Sequence, residues 1–114
     1  MIRKSGEYTV ENRTCGGGTD IFELRHRFTA EEMFQKTRLF SEILFEPGFL
    51  IPMHAHENEV EIYYVLEGEL VSLDENGGKT PFVQGDYMVT GGGRRHSVRN
   101  DSDKPAKILA IIIN

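Results

Sequence analysis

Apolar and polar residues alternate at every second position through most of this chain, the pattern of half-buried strands rather than of helices. After a polar start with a short strand expected around Tyr8–Val10, residues 19–28 put Phe22, Leu24, His26 and Phe28 on one face and Glu23, Arg25 and Arg27 on the other. Thr29-Ala30-Glu31-Glu32 is a capping-box signature, and one helical turn is expected over residues 31–35. Residues 38–46 read as a strand apolar on both faces, with Leu39, Ile43 and Phe45 against Phe40 and Leu44. The directions of Arg38 and Glu42 therefore stay open. Pro47-Gly48 ends that strand, and a reversal at Asn58 starts another on which Glu61, Tyr63 and Val65 share a face.

Strands at 69–73 and 80–83 flank Asp74-Glu75-Asn76-Gly77-Gly78-Lys79, a hairpin turn whose glycines supply positive φ. Short strands follow at 87–90 and 96–98, divided by Gly91-Gly92-Gly93, and the turn chemistry of residues 100–105 comes next. The closing run, 106–113, has Ile108, Ala110 and Ile112 on one face and Leu109, Ile111 and Ile113 on the other. It needs cover on both sides. A barrel core buries only one of them, so a homodimer is expected, with the Phe22–Phe28 face as a second surplus. Many short strands joined by glycine-rich turns predict an all-β sandwich or barrel.

A length of 114 residues bounds this to one domain, 1–114, of which 1–18 is a polar N-terminal arm. A net charge of -5 argues against a nucleic-acid partner, and Arg94-Arg95 is too short a basic run to reverse that. The apolar run Ile108–Ile113 falls far short of the ~20 residues that span a bilayer, so no membrane partner is expected. The lone Cys15 cannot pair within the chain and reads as an incidental loop residue. The glycines after it could cradle phosphate only with a helix directly behind, and a strand pattern follows instead. No apolar run succeeds Arg3-Lys4, so a cytoplasmic protein is the expectation.

Chemistry concentrates between Gly48 and Gly68. His54 and His56 stand two apart, so on an extended backbone both rings face one way, and Glu61 follows five positions on. Two imidazoles and a carboxylate suit a borderline divalent metal, and His96 offers a further ring. Glu57 and Glu59 compete with Glu61 on type alone. His26, a single histidine on an apolar face, reads as a packed residue.

Two glycine-framed segments then stand side by side. Gly48, His54, His56, Glu61 and Gly68 frame residues 48–68, while Gly85, Gly91, Gly93, His96 and Asn100 frame residues 85–100. These resemble the two motifs of the cupin superfamily at every spacing, with Gly91 standing where the family has proline. The resemblance implies a single jelly-roll β-barrel of two antiparallel sheets. It also implies one divalent transition metal at His54, His56, Glu61 and His96, manganese or iron favoured and nickel or zinc possible. The spacing to Gly68 selects Glu61 and leaves Glu57 and Glu59 on the solvated rim. Tyr63 is the candidate pocket wall, Arg94 and Arg95 candidate guides for anions, and no catalytic acid or base is assignable. Cupins include oxygenases, decarboxylases, isomerases and plain binding modules. A small carboxylate, carbonyl or phenolic ligand is therefore expected, with a non-catalytic small-molecule or sugar-binding sensor as the alternative.

Overall fold

The computed structural model describes residues 1–14 and 21–114, so Cys15 and the glycines after it lie outside the described residues. The strands are β1 (Thr9–Thr14), β2 (Ile21–His26), β3 (Thr37–Phe45), β4 (Leu50–Ala55), β5 (Val60–Glu67), β6 (Glu69–Asp74), β7 (Lys79–Val83), β8 (Tyr87–Gly91), β9 (Arg95–Arg99) and β10 (Ala106–Ile113). They form a six-stranded sheet, β1-β2-β3-β10-β5-β8, and a four-stranded sheet, β4-β9-β6-β7. Every neighbouring pair is antiparallel. This is the all-β, two-sheet architecture that the alternation predicts. Pro81, which has no N–H for a ladder, sits on the edge strand β7, where none is needed.

The core fills the space between the sheets. Along β10, Ala106, Ile108, Ala110 and Ile112 are buried while Lys107, Leu109 and Ile111 are half-buried on the outer side. Tyr63 and Val65 of β5 point the same way and meet Phe49, Ile51, Leu70, Phe82 and Val98 opposite. Burying one such large apolar side chain contributes about 1.5–3 kcal/mol, so the alternation itself drives the layering. Gly68 lets β5 and β10 close together: a Cβ there would lie 2.7 Å from that of Ala106, at a φ of +91°. Asn100 is fully buried, and its amide donates to the carbonyls of Phe45 (2.9 Å) and Lys104 (2.8 Å). The last residue of the second motif thus ties two turns together.

Two expectations are corrected. The Phe22–Leu24 face is not surplus surface: Leu24 is buried in the core and Phe22 stacks on Phe49 with ring centres 5.2 Å apart. The pattern was right but its face points inward. The capping box forms, with Glu32 N–H donating to Thr29 Oγ1 (3.1 Å) and Thr29 N–H to Glu32 (2.9 Å), yet no helix grows from it. Phe34 and Gln35 turn left-handed, and Asn114 occupies the carbonyls of Gln35 and Lys36 at 3.0 and 3.2 Å. One turn without propagation gains too few bonds to persist as a helix. The open register of β3 is also settled, since Ser41, Ile43 and Phe45 face inward and Glu42 faces out to Arg27 at 2.8 Å.

Candidate metal centre

A register shift between Ile51 and His54 interrupts the β4–β9 ladder, and beyond it His54 pairs directly with His96. Pro52 sits in the shift, where its missing N–H costs nothing. Asn58, at a φ of 58°, reverses the chain after His56 and starts β5, on which Glu61 faces inward beside Tyr63. His54, His56, Glu61 and His96 thereby bring one ligand atom each within 4.8 Å of one another. All but His54, which is partly buried, are buried.

Each ring is held from behind through Nδ1. His54 Nδ1–H donates to the Pro52 carbonyl (2.8 Å), and His56 Nδ1–H to the Glu59 carboxylate (2.8 Å). His96 Nδ1 meets the hydroxyl of Thr90, the cross-strand partner of Glu61, at 2.9 Å. A carbonyl or carboxylate only accepts, so in the neutral rings of His54 and His56 the other nitrogen, Nε2, is a bare lone pair. His56 Nε2 nevertheless stands 2.8 Å from Glu61 Oε1, and His54 Nε2 stands 2.9 Å from His96 Nε2. Acceptors at such separations repel unless a proton or a cation lies among them. The donor set therefore fits a divalent cation, with three neutral imidazoles and one carboxylate leaving a net charge near +1.

Where protons and not a cation sit among these atoms, burial works to raise the Glu61 carboxyl, but hydrogen bonds from His54 and His96 and the positive charge of protonated rings hold it well below the usual carboxylate range. Burial likewise works to lower His54, and its bonds to Glu61 and the Pro52 carbonyl override that and raise it. The centre is thus built to keep an anion among its imidazoles.

Glu57 is exposed as expected, whereas Glu59 is not a rim residue. It is half-buried between His56 and Arg38, the latter paired through Nε (3.0 Å) and Nη2 (2.7 Å). Arg38 and then His56 lower its carboxyl to about 2. A histidine followed at the third position by glutamate, across a residue able to turn left-handed, is the signal that marks it. Carboxylate partners behind ligand rings typically matter by about 10–100-fold in metal affinity. Glu59→Gln is expected to weaken metal binding within that range while leaving Glu61 and the fold in place, as read by competition with a chromogenic chelator. An unchanged affinity would reduce Glu59 to a surface partner of Arg38.

Beside the cluster lies a cavity of ≈ 270 Å³ whose lining includes His54, Glu61 and Tyr63. Its walls are largely apolar, with Phe22, Leu39, Ile43, Met53 and Ile112 among them, and Arg13 and Arg38 also line it. Arg94 and Arg95 are exposed and do not line the cavity, and Glu42 lies outside it too. His26 stands apart from the cluster, bonded to Ser41 Oγ (2.6 Å) and Glu11 (2.7 Å).

A profile of the cupin domain family matches residues 41–112. The chain is 39% identical over 114 residues to an oxalate-binding protein of Thermotoga maritima, covering 99% of this chain and 93% of that one. It also superposes on the crystal structure of a predicted oxalate decarboxylase from Thermotoga maritima, with a TM-score of 0.89 and 38% identity, over 99% of this chain and 98% of that one. A sugar phosphate isomerase of the cupin superfamily from Silicibacter pomeroyi matches at a TM-score of 0.69 and 25% identity, over 82% of this chain and 59% of the other.

Proposed function

Because the chain belongs to the cupin domain family, we propose that it binds a small carboxylate at one divalent transition metal held by His54, His56, Glu61 and His96. The observation that carries this reading is the convergence of the four ligand atoms within 4.8 Å of one another, beside a cavity that His54 and Glu61 help to line. Such a centre keeps a residual positive charge, and four protein donors leave positions on an ion that prefers about six ligands. A carboxylate completes both the charge and the coordination. The oxalate-binding relative supports the same ligand class. Manganese or iron is the preferred ion, with nickel or zinc as alternatives. When bound, the metal supplies a Lewis acid for the ligand's oxygens.

Calorimetric titration with oxalate is the test. Heat of binding is expected from manganese-loaded protein and none after chelation. Equal binding in both states would remove the metal from the reading.

Turnover is the second reading, favoured by the relative described as a predicted oxalate decarboxylase. Among the described residues, however, the cavity is lined by no lysine and by no carboxylate other than Glu61, leaving Thr14 and Tyr63 as the hydroxyl-bearing wall residues outside the cluster and the arginines. Binding is therefore the primary proposal, and release of carbon dioxide or uptake of dioxygen in a panel of small acids is the measurement that would promote the second. The apolar walls fit a sugar phosphate poorly.

The homodimer rests on the outer face of the six-stranded sheet. Phe40, Ile111, Ile62 and Val89 lie in register across β3, β10, β5 and β8, an apolar row ending in a Val89 that is 72% exposed. Tyr87 extends it at 75% exposed. Light scattering should give twice the chain mass at micromolar concentration, and Val89→Glu should halve it. A wild-type monomer would refute the pairing.

A further inference from the structure

The cavity is larger and less polar than oxalate requires. Its ≈ 270 Å³ equals the liquid share of roughly nine waters at about 30 Å³ each. Oxalate has no carbon between its carboxylates and nothing to set against Phe22, Leu39, Ile43 and Ile112. Arg13 and Arg38 share the same walls, and the guanidinium of each is already paired with a carboxylate. Arg13 pairs with Glu11 through Nε (2.6 Å) and Nη2 (3.2 Å), and Arg38 pairs with Glu59 through the same edge. A guanidinium has five N–H donors in a planar fork, so these pairings leave the Nη1 side of each without a carboxylate. Each Arg–Glu pair is neutral as a unit. Recognition would then come from directed donors and not from a general positive field.

The chain divides this cavity in two. His54, Glu61 and Tyr63 come from the matched segment 41–112, whereas Arg13, Phe22, Arg38 and Leu39 come from β1, β2 and the start of β3, ahead of it. The segment common to the family carries the metal-binding side chains, and the N-terminal strands carry much of the opposing wall.

We propose that the ligand is a dicarboxylate with a short carbon chain, one carboxylate on the metal and the other on Arg13 and Arg38, its middle against the apolar walls. This rests on the metal–carboxylate reading above and narrows it. β1 then serves as a specificity element. Its inner face presents Glu11 and Arg13, and Glu11 is anchored in turn by His26, which reaches the fully buried Ser41.

The full chain, loaded with manganese, is titrated with oxalate, succinate, glutarate and the monoacid butyrate. Succinate or glutarate is expected to bind about tenfold tighter than butyrate, the scale of one hydrogen bond to a charged group, and also tighter than oxalate. Arg13 carries the mutational test because it makes no hydrogen bond to the four metal-binding residues, whereas Arg38 reaches His56 through Glu59. Arg13→Gln should cut the preference over butyrate several-fold, Arg38 keeping the remainder, while butyrate affinity and manganese content stay unchanged, and Arg13→Lys should restore part of the loss. Oxalate binding tighter than both longer diacids, or a preference indifferent to Arg13→Gln, would overturn the proposal and leave the metal–carboxylate reading standing. Binding of none of the acids to metal-loaded protein would end both.

Discussion

His96→Ala should lose its metal on purification, with affinity reduced by more than the ~100-fold upper range for losing a partner behind a ligand ring. His96 is buried, and its Nε2 lies 3.1 Å from Glu61 Oε1 and 2.9 Å from His54 Nε2. Removing the ring deletes one of three imidazoles and opens a void beside Tyr63, whose ring stacks on it at 5.4 Å. The companion variant is His26→Ala. That ring bonds Ser41 and Glu11, so its loss should cost about 1–3 kcal/mol of stability through the buried Ser41 hydroxyl and leave metal content at the wild-type level. Elemental analysis of both proteins, prepared without chelators or a nickel column, decides the matter. Equal metal loss in the two variants would mean that the centre lies elsewhere.

The melting temperature of the metal-loaded protein should exceed that of the stripped protein at pH 7.5 by on the order of 10 °C, for a metal concentration about a hundred times Kd. The difference should close on the acid side of pH 6. In the stripped protein His54 is raised above its ordinary 6.5, so its pairing with Glu61 stabilises fully below that value and fades as pH rises through the raised one. Glu61 is lowered, so its contribution is complete above the ordinary carboxylate range and is lost only as pH falls through the depressed value. In mildly acidic solution both contributions favour the stripped form. A metal requires the same ring neutral, and protons displace it there. The two effects act in one direction, and a thermal-shift series with and without chelator measures their sum. A difference that does not vary with pH would point to ligands without histidine.

Local strand and turn spacings made His54, His56 and a following glutamate legible, whereas the choice of Glu61 and the place of His96 came from the resemblance to the cupin motifs. His54 and His56 are separated by one residue, Asn58 is able to take a positive φ, and Glu61 begins the next alternation. Glu59 was misplaced on the rim because the run Glu57, Glu59, Glu61 offers three carboxylates of one type. Only the geometry of the turn sends one to the metal side of His56 and another to its back. Arg38 and Arg13 were illegible for a different reason. β3 carries apolar residues on both faces, so period-two reading could not assign Arg38 a direction, and β1 reaches the cavity only through pairing with β2. The capping box is the opposite case: it forms as read, but Phe34 and Gln35 turn left-handed where the helix would continue, and Asn114 takes the carbonyls of Gln35 and Lys36.

His54 and His96 belong to the four-stranded sheet, His56 directly follows its edge strand, and Glu61 belongs to the six-stranded sheet. An ion held by all four is therefore a cross-link between the layers, joining chain positions that β-pairing alone leaves on separate sheets. β4 is hydrogen-bonded to its sheet along one side only, and its ladder is broken at Pro52. The cross-link lands on an edge strand whose ladder is already interrupted. Loss of the ion would free that flap before it disturbed β10 at the centre of the larger sheet, so the cavity can loosen at its metal-bearing lip while the rest of the barrel stays closed.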